Sequence, residues 1–496
     1  MGMSKLVPSK YQLDVFDFVE NGTGSGIINA VAGSGKTTTI VGSLKFVPKD
    51  ASVIYLAFNK SIVENLKSKI PSNITVKTFH SIGASAIYKV YKNKSVLDNN
   101  KIFNLVSTQR NKWAMLDKVS IETDYVLKIK KIVDISKLTL SYDTLSIKDV
   151  CYKHGIQYDD KDIQRVLDII DAANNDISTF DFNDMVYWPA KFNHFQLEKY
   201  DMIYVDECQD LNKAQHKLIE KMSHPKTRLI AVGDRFQSIY GFAGADTDSF
   251  DNLTKIPNIK ILPLSISYRC GSDIIKLAKT IVPHIESHEN ATCGIVDYNA
   301  SINNITENDM VICRLTLPLV KLCLDFLKQN KKAYVKGSDI GDDLIKLITK
   351  SNTTNCVNLL AWLNIELEKI FNKLKYTLHL EDAQVIEHNT YIIFSEKIAL
   401  IDTFIKQENI LLNKDLIFKI QQVFMDLSNN SICLSTIHRV KGLESDRVFI
   451  IDKDKTMPYK YARLPWELVQ EKNLMYVAYT RAKNYLGFVS DWTFFD

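Results

Sequence analysis

The absences in this sequence narrow its function before any motif is read. No apolar run approaches the ~20 residues that a helical membrane span requires, and the opening Met1 to Gln12 has no apolar signal core, so neither a membrane anchor nor secretion is expected. Gly2 is followed by Leu6 where a myristoylation signal wants Ser or Thr, so lipidation is not expected either. The eight cysteines contain no C-x-x-C pair and no signal peptide precedes them, so reduced, mostly buried thiols are expected, in the cytoplasm, or in a host cytoplasm for a viral protein. Gly (18) and Pro (11) are too sparse for a fibrous or disordered chain of 496 residues. An excess of either charge is also lacking: 62 Lys and Arg against 58 Asp and Glu leave only +4, so any affinity for nucleic acid must come from a local groove and not from a global field.

What is present begins with alternation. Near the start the apolar runs GIINAV, SVIYLAF and NITVKTF are separated by helical stretches, TTTIVGSLKF and KSIVENLKSKI, the pattern of a parallel sheet wrapped by helices. It returns at DMIYVDE, RLIAVGD and IKILPL after about a hundred polar, Lys- and Tyr-rich residues. A second series, DMVICRL, KAYVKG, SICLSTI, RVFIID and NYLGFVS, is split by another helical stretch. A length of 496 residues exceeds what one core usually serves. Two α/β domains are therefore expected, 1–83 with 180–260 and 261–342 with 430–496, each carrying a mainly helical insertion at 84–179 and 343–429.

Ala30-Val31-Ala32-Gly33-Ser34-Gly35-Lys36-Thr37 stands between a strand run and a helix, the setting of a phosphate-binding loop, although Ala30 replaces the first Gly of the general pattern. Small residues let backbone N–H groups approach phosphate oxygens. Lys36 adds a cation at the β- and γ-phosphates, and the Thr37 hydroxyl can join a Mg²⁺ shell. A second strand run, Asp201 to Val205, ends in Asp206 and Glu207. Adjacent carboxylates at such an edge can divide the work, Asp206 holding Mg²⁺ and Glu207 polarising the attacking water. Either feature alone has a bland reading, a fortuitous Gly-rich turn or a solvated strand end. Together they point to nucleotide hydrolysis.

With these in place, the chain resembles superfamily 1 DNA helicases of the UvrD, Rep and PcrA type. The resemblance runs in order through Tyr11-Gln12, AVAGSGKT, AFNK at 57–60, TFH at 78–80, VDECQD, VGDRFQSIYGFAGA at 232–245, SYRC at 267–270, the strand with Arg314, STIHRVKGLESDRVFI at 435–450 and EKNLMYVAYTRAKNYL at 471–486. The AFNK form is similar to phage-encoded and F-box helicase relatives. It implies two RecA-like parallel-sheet domains that use ATP and Mg²⁺. In that scheme Ala32 to Thr38 cradle the phosphates, Gln12 reads the adenine edge, Tyr268 stacks on the base and Glu444 meets the ribose. Gln237 senses the γ-phosphate, and Arg269 and Arg481 act as arginine fingers from the second domain.

The resemblance also implies a track for unpaired DNA: Tyr240, Phe242, Thr78, His80, Thr436 and His438 facing the strand, with Asn59, Lys60 and Arg314 near phosphates. Taken singly, such aromatic and His residues are more often core. Two departures stand out. Phe242-Ala243-Gly244-Ala245 keeps an aromatic where relatives have Trp-Arg-Gly-Ala but loses a cation, and Phe58 directly precedes Asn59-Lys60, a changed spacing that removes the expectation of a stacking role. In the first insertion Tyr88, Lys89, Tyr91, Lys92 and Lys94, and later Lys128, Lys130 and Lys131, read as solvated helix faces before they read as a DNA path. Asp184, in FDFNDMVYW, reads as structural or close to the DNA. The implied function is a monomeric, ATP-dependent helicase moving 3'→5' on single-stranded DNA and at junctions, with replication, recombination or repair proteins as partners. The competing reading is an ATP-gated single-strand binding or protein-clearing factor. A fused nuclease is not expected, because the chain ends at Asp496, shortly after the last motif.

Overall fold

The apolar runs become strands, and the central ones are buried on both faces, as strands inside an all-parallel sheet must be. The computed structural model describes residues 8–58, 60–67, 70–92, 94–118, 121, 123–241, 246, 248–377, 380–425 and 430–494. Six strands form the first sheet in the order Thr75–Thr78, Val53–Ala57, Met202–Val205, Arg228–Gly233, Gly26–Ala30, Lys260–Leu264, and every pair is parallel. Successive side chains supply opposite faces: Ile28, Tyr55, Tyr204 and Val232 pack on one side with Val15 and Val19, while Ile27, Ile54, Ile203 and Ala231 pack on the other with Leu218 and Phe250. The strand Lys260–Leu264 pairs with Gly26–Ala30. That strand falls within the first of two compact units, which runs to Ile266. Leu464–Gln470 also belongs to it, with Trp466 Nε1 donating to the Lys153 carbonyl at 2.6 Å.

The first insertion has a core of its own. Helices Lys101–Asp117, Thr123–Thr139, Thr144–Lys153 and Asp160–Asn175 enclose Ile102, Val106, Ile129, Ile132, Val166 and Ile169. Buried charge ties it to the chain that returns to the sheet. Lys137 lies 2.9 Å from Asp181 and 2.8 Å from Asp184, and Lys101 donates to the carbonyls of Ala173, Asp176 and Thr179 at 2.8, 3.0 and 2.7 Å. Burial alone would lower the Lys137 pKa, but Asp184 and Asp181 raise it above the usual ammonium range. Asp184 is fully buried in this network; burial raises its carboxyl pKa and the Lys137 charge opposes the rise. Removing one partner of a buried pair strands the other charge, so Lys137→Met is expected to cost about 3 kcal/mol, read as a lower urea midpoint at unchanged slope. An unchanged midpoint would show that the network contributes nothing to stability.

The second unit holds another six-stranded sheet, ordered Ile295–Ala300, Ala482–Val489, Ser445–Ile450, Met310–Cys313, Ile432–Thr436, Ala333–Val335, again parallel throughout. Its helical stretch differs from the first. Leu344, Leu359, Phe404 and Leu416 share one core with Val311, Leu434 and Phe449 of the sheet, so these helices thicken the domain and do not form a separate body. Among the described residues no helix is long and apolar enough to cross a membrane.

Candidate functional site

In the first unit the chain leaves the strand Gly26–Ala30 and turns into the helix Lys36–Ser43 through Gly33 (φ 71°) and Gly35 (φ 76°), a left-handed pair that side chains rarely adopt. Ser34 folds back, its hydroxyl donating to the Val31 carbonyl at 2.8 Å. Thr37 and Thr38 are exposed at the start of the helix. Gln12 is buried beneath the loop. Its amide donates to Thr39 Oγ1 at 3.0 Å and accepts from the Ser9 N–H at 3.0 Å, so it fastens the helix Lys10–Asn21 to the phosphate loop.

Asp206 and Glu207 follow the strand Met202–Val205. Asp206 is buried, with Oδ1 accepting the Glu207 N–H at 2.9 Å and Oδ2 accepting the Tyr55 hydroxyl at 3.0 Å. Burial and the Glu207 charge push its pKa up to about 6, against the pull of the nearby Lys36 ammonium. Burial and Asp206 in turn hold the Tyr55 phenol well above its usual range, so it stays a neutral donor. Glu207 sits in the left-handed region at φ 50°, ψ 44°. Backbone strain of this kind costs of order 1–3 kcal/mol and clusters at functional positions.

Gln209 links the acidic group to the next strand end. Its Nε2 donates to Glu207 Oε2 at 2.7 Å and to Asp210 Oδ2 at 3.0 Å, while its Oε1 accepts the Asp234 N–H at 3.0 Å. A Cβ at Gly233 would lie 2.5 Å from that Oε1, which explains a glycine there. Asp234 then accepts Gln237 Nε2 at 2.7 Å, and burial raises its pKa while Lys36 opposes the rise. Lys36, Asp206, Glu207 and Gln237 are thus gathered at the ends of neighbouring strands, and Tyr55, Gln209 and Asp234 join them.

This set fits a nucleotide with Mg²⁺. The left-handed glycines leave a loop with no side chain at Gly33 or Gly35, and the buried Asp206 carboxylate, disfavoured as an anion, would be relieved by a divalent cation. Among the described residues no cluster of three or more His, Cys, Asp or Glu could hold a metal by itself.

The candidate strand-facing residues of this unit are divided. His80 stacks on Phe182 at 3.8 Å and 20°, and burial lowers its pKa to about 4, leaving a neutral ring at physiological pH. Phe58 lies parallel to Tyr240, 12° apart at 6.5 Å, so the changed spacing has kept it beside an aromatic and half exposed. Thr78 caps the helix Phe79–Tyr91, accepting the Ser81 N–H at 3.1 Å. Lys60 projects into solvent, 3.8 Å from Glu64. Asn59 and Phe242, with Ala243, Gly244 and Ala245, lie outside the described residues.

The second unit gathers its own group. Arg269 Nε donates to Glu444 Oε2 at 2.6 Å and its Nη1 to the Thr480 carbonyl at 3.1 Å. Lys483 meets the other Glu444 oxygen at 2.9 Å; burial would raise the Glu444 pKa, but Lys483 and Arg269 together lower it. Arg481 is 1% exposed, with Nε on the Val477 carbonyl at 2.9 Å, Nη1 on the Leu443 carbonyl at 3.0 Å and Nη2 on Thr480 Oγ1 at 3.2 Å. Tyr268 is partly exposed, tilted against His288 at 4.9 Å. Arg314 is engaged elsewhere. It grips Glu471 through Nε at 3.0 Å and Nη2 at 2.8 Å and lies 4.7 Å over the Tyr459 ring. Thr436, at the end of its strand, is half buried, and burial with the Arg314 charge lowers the His438 pKa to about 3.

Two parallel six-stranded sheets, the first bearing a phosphate loop beside an acidic strand end, define the class of paired RecA-like domains. Residues 16–257 match the UvrD/REP helicase N-terminal domain and residues 146–491 match the UvrD-like helicase C-terminal domain. The chain belongs to the UvrD-like helicase family. It is similar to F-box DNA helicase 1 of Gallus gallus (25% identical, over 92% of this chain and 46% of that protein). It is also similar to the probable DNA helicase II homolog of Mycoplasma pneumoniae (24%, over 95% and 82%) and to the ATP-dependent DNA helicase Rep of Buchnera aphidicola (26%, over 52% and 41%). The chain spans about half the length of the two F-box relatives, 46% and 55%.

Proposed function

We propose that this protein is an ATP- and Mg²⁺-dependent DNA helicase that translocates 3'→5' along single-stranded DNA in the cytoplasm, serving replication, recombination or repair. The observation that carries the reading is the set Lys36, Asp206, Glu207, Gln209, Asp234 and Gln237, in which a candidate metal partner, a candidate base and a candidate γ-phosphate sensor are joined by hydrogen bonds and the phosphate-loop cation Lys36 acts on Asp206 and Asp234 through its charge. Phosphoryl transfer needs mainly positioning and charge stabilisation, which such a set supplies. Arg269 and Arg481 complete the charge in this reading when the two domains close on ATP, and closure and release move the strand. Tyr240, Phe242, His80, Thr78, Thr436 and His438 take the unpaired bases, and Asn59, Lys60 and Arg314 the phosphates.

Strand displacement from 3'-tailed and 5'-tailed duplexes tests the proposal. Displacement with ATP from the 3'-tailed substrate alone is expected. Displacement from the 5' tail would reverse the polarity, and DNA-stimulated hydrolysis with neither displaced would favour a protein-clearing motor. Phosphate contacts and base stacking carry no sequence information, so affinity for unpaired DNA should fall steeply with salt and hardly respond to base sequence. Fluorescence anisotropy with homopolymers of each base, between 50 and about 200 mM salt, checks this, and a strong preference for one base would contradict it.

A further inference from the structure

We propose that Tyr55 is a positioning residue for the metal-partner carboxylate, its hydroxyl locking Asp206 in the orientation in which it meets Mg²⁺ or the waters around the ion. The inference rests on the reading of Asp206 as that partner. Tyr55 occupies the middle of the strand Val53–Ala57, whose other residues are all apolar, and it is fully buried. Its ring lies flat beside Tyr204 of the neighbouring strand, 6° apart at 6.4 Å, in the register that pairs the two residues. A phenylalanine would fill this space without bringing a polar atom into the core. A buried phenol needs a hydrogen-bond partner, and this one donates to Asp206 Oδ2 at 3.0 Å.

The geometry of Asp206 gives that hydroxyl its consequence. One carboxylate oxygen is held by the Glu207 N–H at 2.9 Å and the other by Tyr55. Two donors on two oxygens fix the carboxylate plane, because rotating it weakens both bonds. Each oxygen still has a lone pair left for a metal or a metal-bound water. The chemistry of the donor matters as well. A Lys in place of Tyr55 would neutralise Asp206 and compete with the cation, whereas a neutral hydroxyl orients the anion and leaves its charge for Mg²⁺. Groups that orient metal partners typically change metal affinity by about 10- to 100-fold when removed.

The test is Tyr55→Phe, which keeps the ring and its packing, with Asp206→Asn beside it. Mn²⁺ binding is followed by electron paramagnetic resonance on protein saturated with a non-hydrolysable ATP analogue, and Mg²⁺ is titrated into the ATPase assay. For Tyr55→Phe the expected result is Mn²⁺ affinity weakened about tenfold, with unchanged melting temperature and unchanged metal-free affinity for the analogue. The Mg²⁺ concentration for half-maximal turnover should rise by the same factor, and turnover should recover at saturating Mg²⁺. Wild-type Mn²⁺ affinity in Tyr55→Phe would overturn the proposal, and if the melting temperature fell as well, Tyr55 would be a packing residue. A loss of turnover that no Mg²⁺ concentration restores would also overturn it. Wild-type Mn²⁺ affinity in Asp206→Asn would instead remove the underlying assignment of Asp206.

Discussion

Glu207→Gln is expected to lower ATP turnover by ~10³-fold or more, the range a positioned general base contributes, while nucleotide and single-strand binding stay near wild type. Glu207 Oε2 accepts Gln209 Nε2 at 2.7 Å, and a glutamine carbonyl can accept the same bond, so the link to Asp210 and Asp234 survives. On the proposed role, what disappears is a negative charge and a proton acceptor for the attacking water. The Glu207 charge raises the Asp206 pKa, so its loss makes Asp206 a readier anion, and nucleotide binding should hold or tighten. Lys36→Ala is the contrasting variant. It removes the cation that opposes the rise at both Asp206 and Asp234, so turnover and nucleotide affinity should fall together while single-strand binding remains. Steady-state ATPase, nucleotide titration and single-strand anisotropy on each variant separate the outcomes. Near-wild-type hydrolysis by Glu207→Gln would take the base assignment away.

The parts legible in the sequence are those in which residue type and spacing act locally. All six strands of the first sheet stood out as apolar runs, as did five of the second, because a buried parallel strand must be apolar on both faces. The strand Ile295–Ala300 did not. Its residues IVDYNA are largely exposed at the sheet edge and carry no apolar run. The phosphate loop and the acidic strand end were legible for the same local reason. Tyr55 was hidden because an aromatic in an apolar strand reads as core, and only the fold brings Asp206, far along the chain, to its hydroxyl. Gln209 and Asp234 lay inside the quoted motifs, but nothing in their spacing says that one amide spans both. Phe182 gave no signal, since its stacking partner His80 lies across the whole first insertion. The two insertions looked alike as helical sequence, and only packing separates one with its own core from one that shares the core of its sheet.

Arg481→Lys is expected to reduce DNA-stimulated turnover by ~10³-fold or more, the scale of an arginine finger, with ATP binding weakened far less. Arg481 has an observed bracing role, and the proposed role in turnover is separable from it. Within the second unit its guanidinium spans Val477, Leu443 and Thr480, so it closes the turn between the helix Pro465–Tyr479 and the strand Ala482–Val489. A lysine is a point charge on a flexible stem and cannot serve three acceptors in one plane. A loss of about 1–3 kcal/mol in stability is therefore expected from that role alone. The proposed role in turnover is different in kind: the planar fork would have to reach transferring phosphate oxygens, and a misplaced ammonium would leave transition-state charge uncompensated. The two roles are distinguished on one sample by its melting temperature, its active-site concentration from nucleotide titration, and its turnover per active site with saturating single-stranded DNA. If the folded fraction of Arg481→Lys turns over at the wild-type rate, with only the melting temperature lowered, Arg481 is a brace for the turn and not a finger. If turnover per site collapses and DNA no longer stimulates it while nucleotide still binds, the brace is incidental. Arg269→Lys then provides the parallel case, since the Arg269 guanidinium reaches both Glu444 at 2.6 Å and the Thr480 carbonyl at 3.1 Å, and a lysine would not hold both. Failure of both variants in turnover, with nucleotide still bound, is the pattern that a two-arginine transition-state clamp requires.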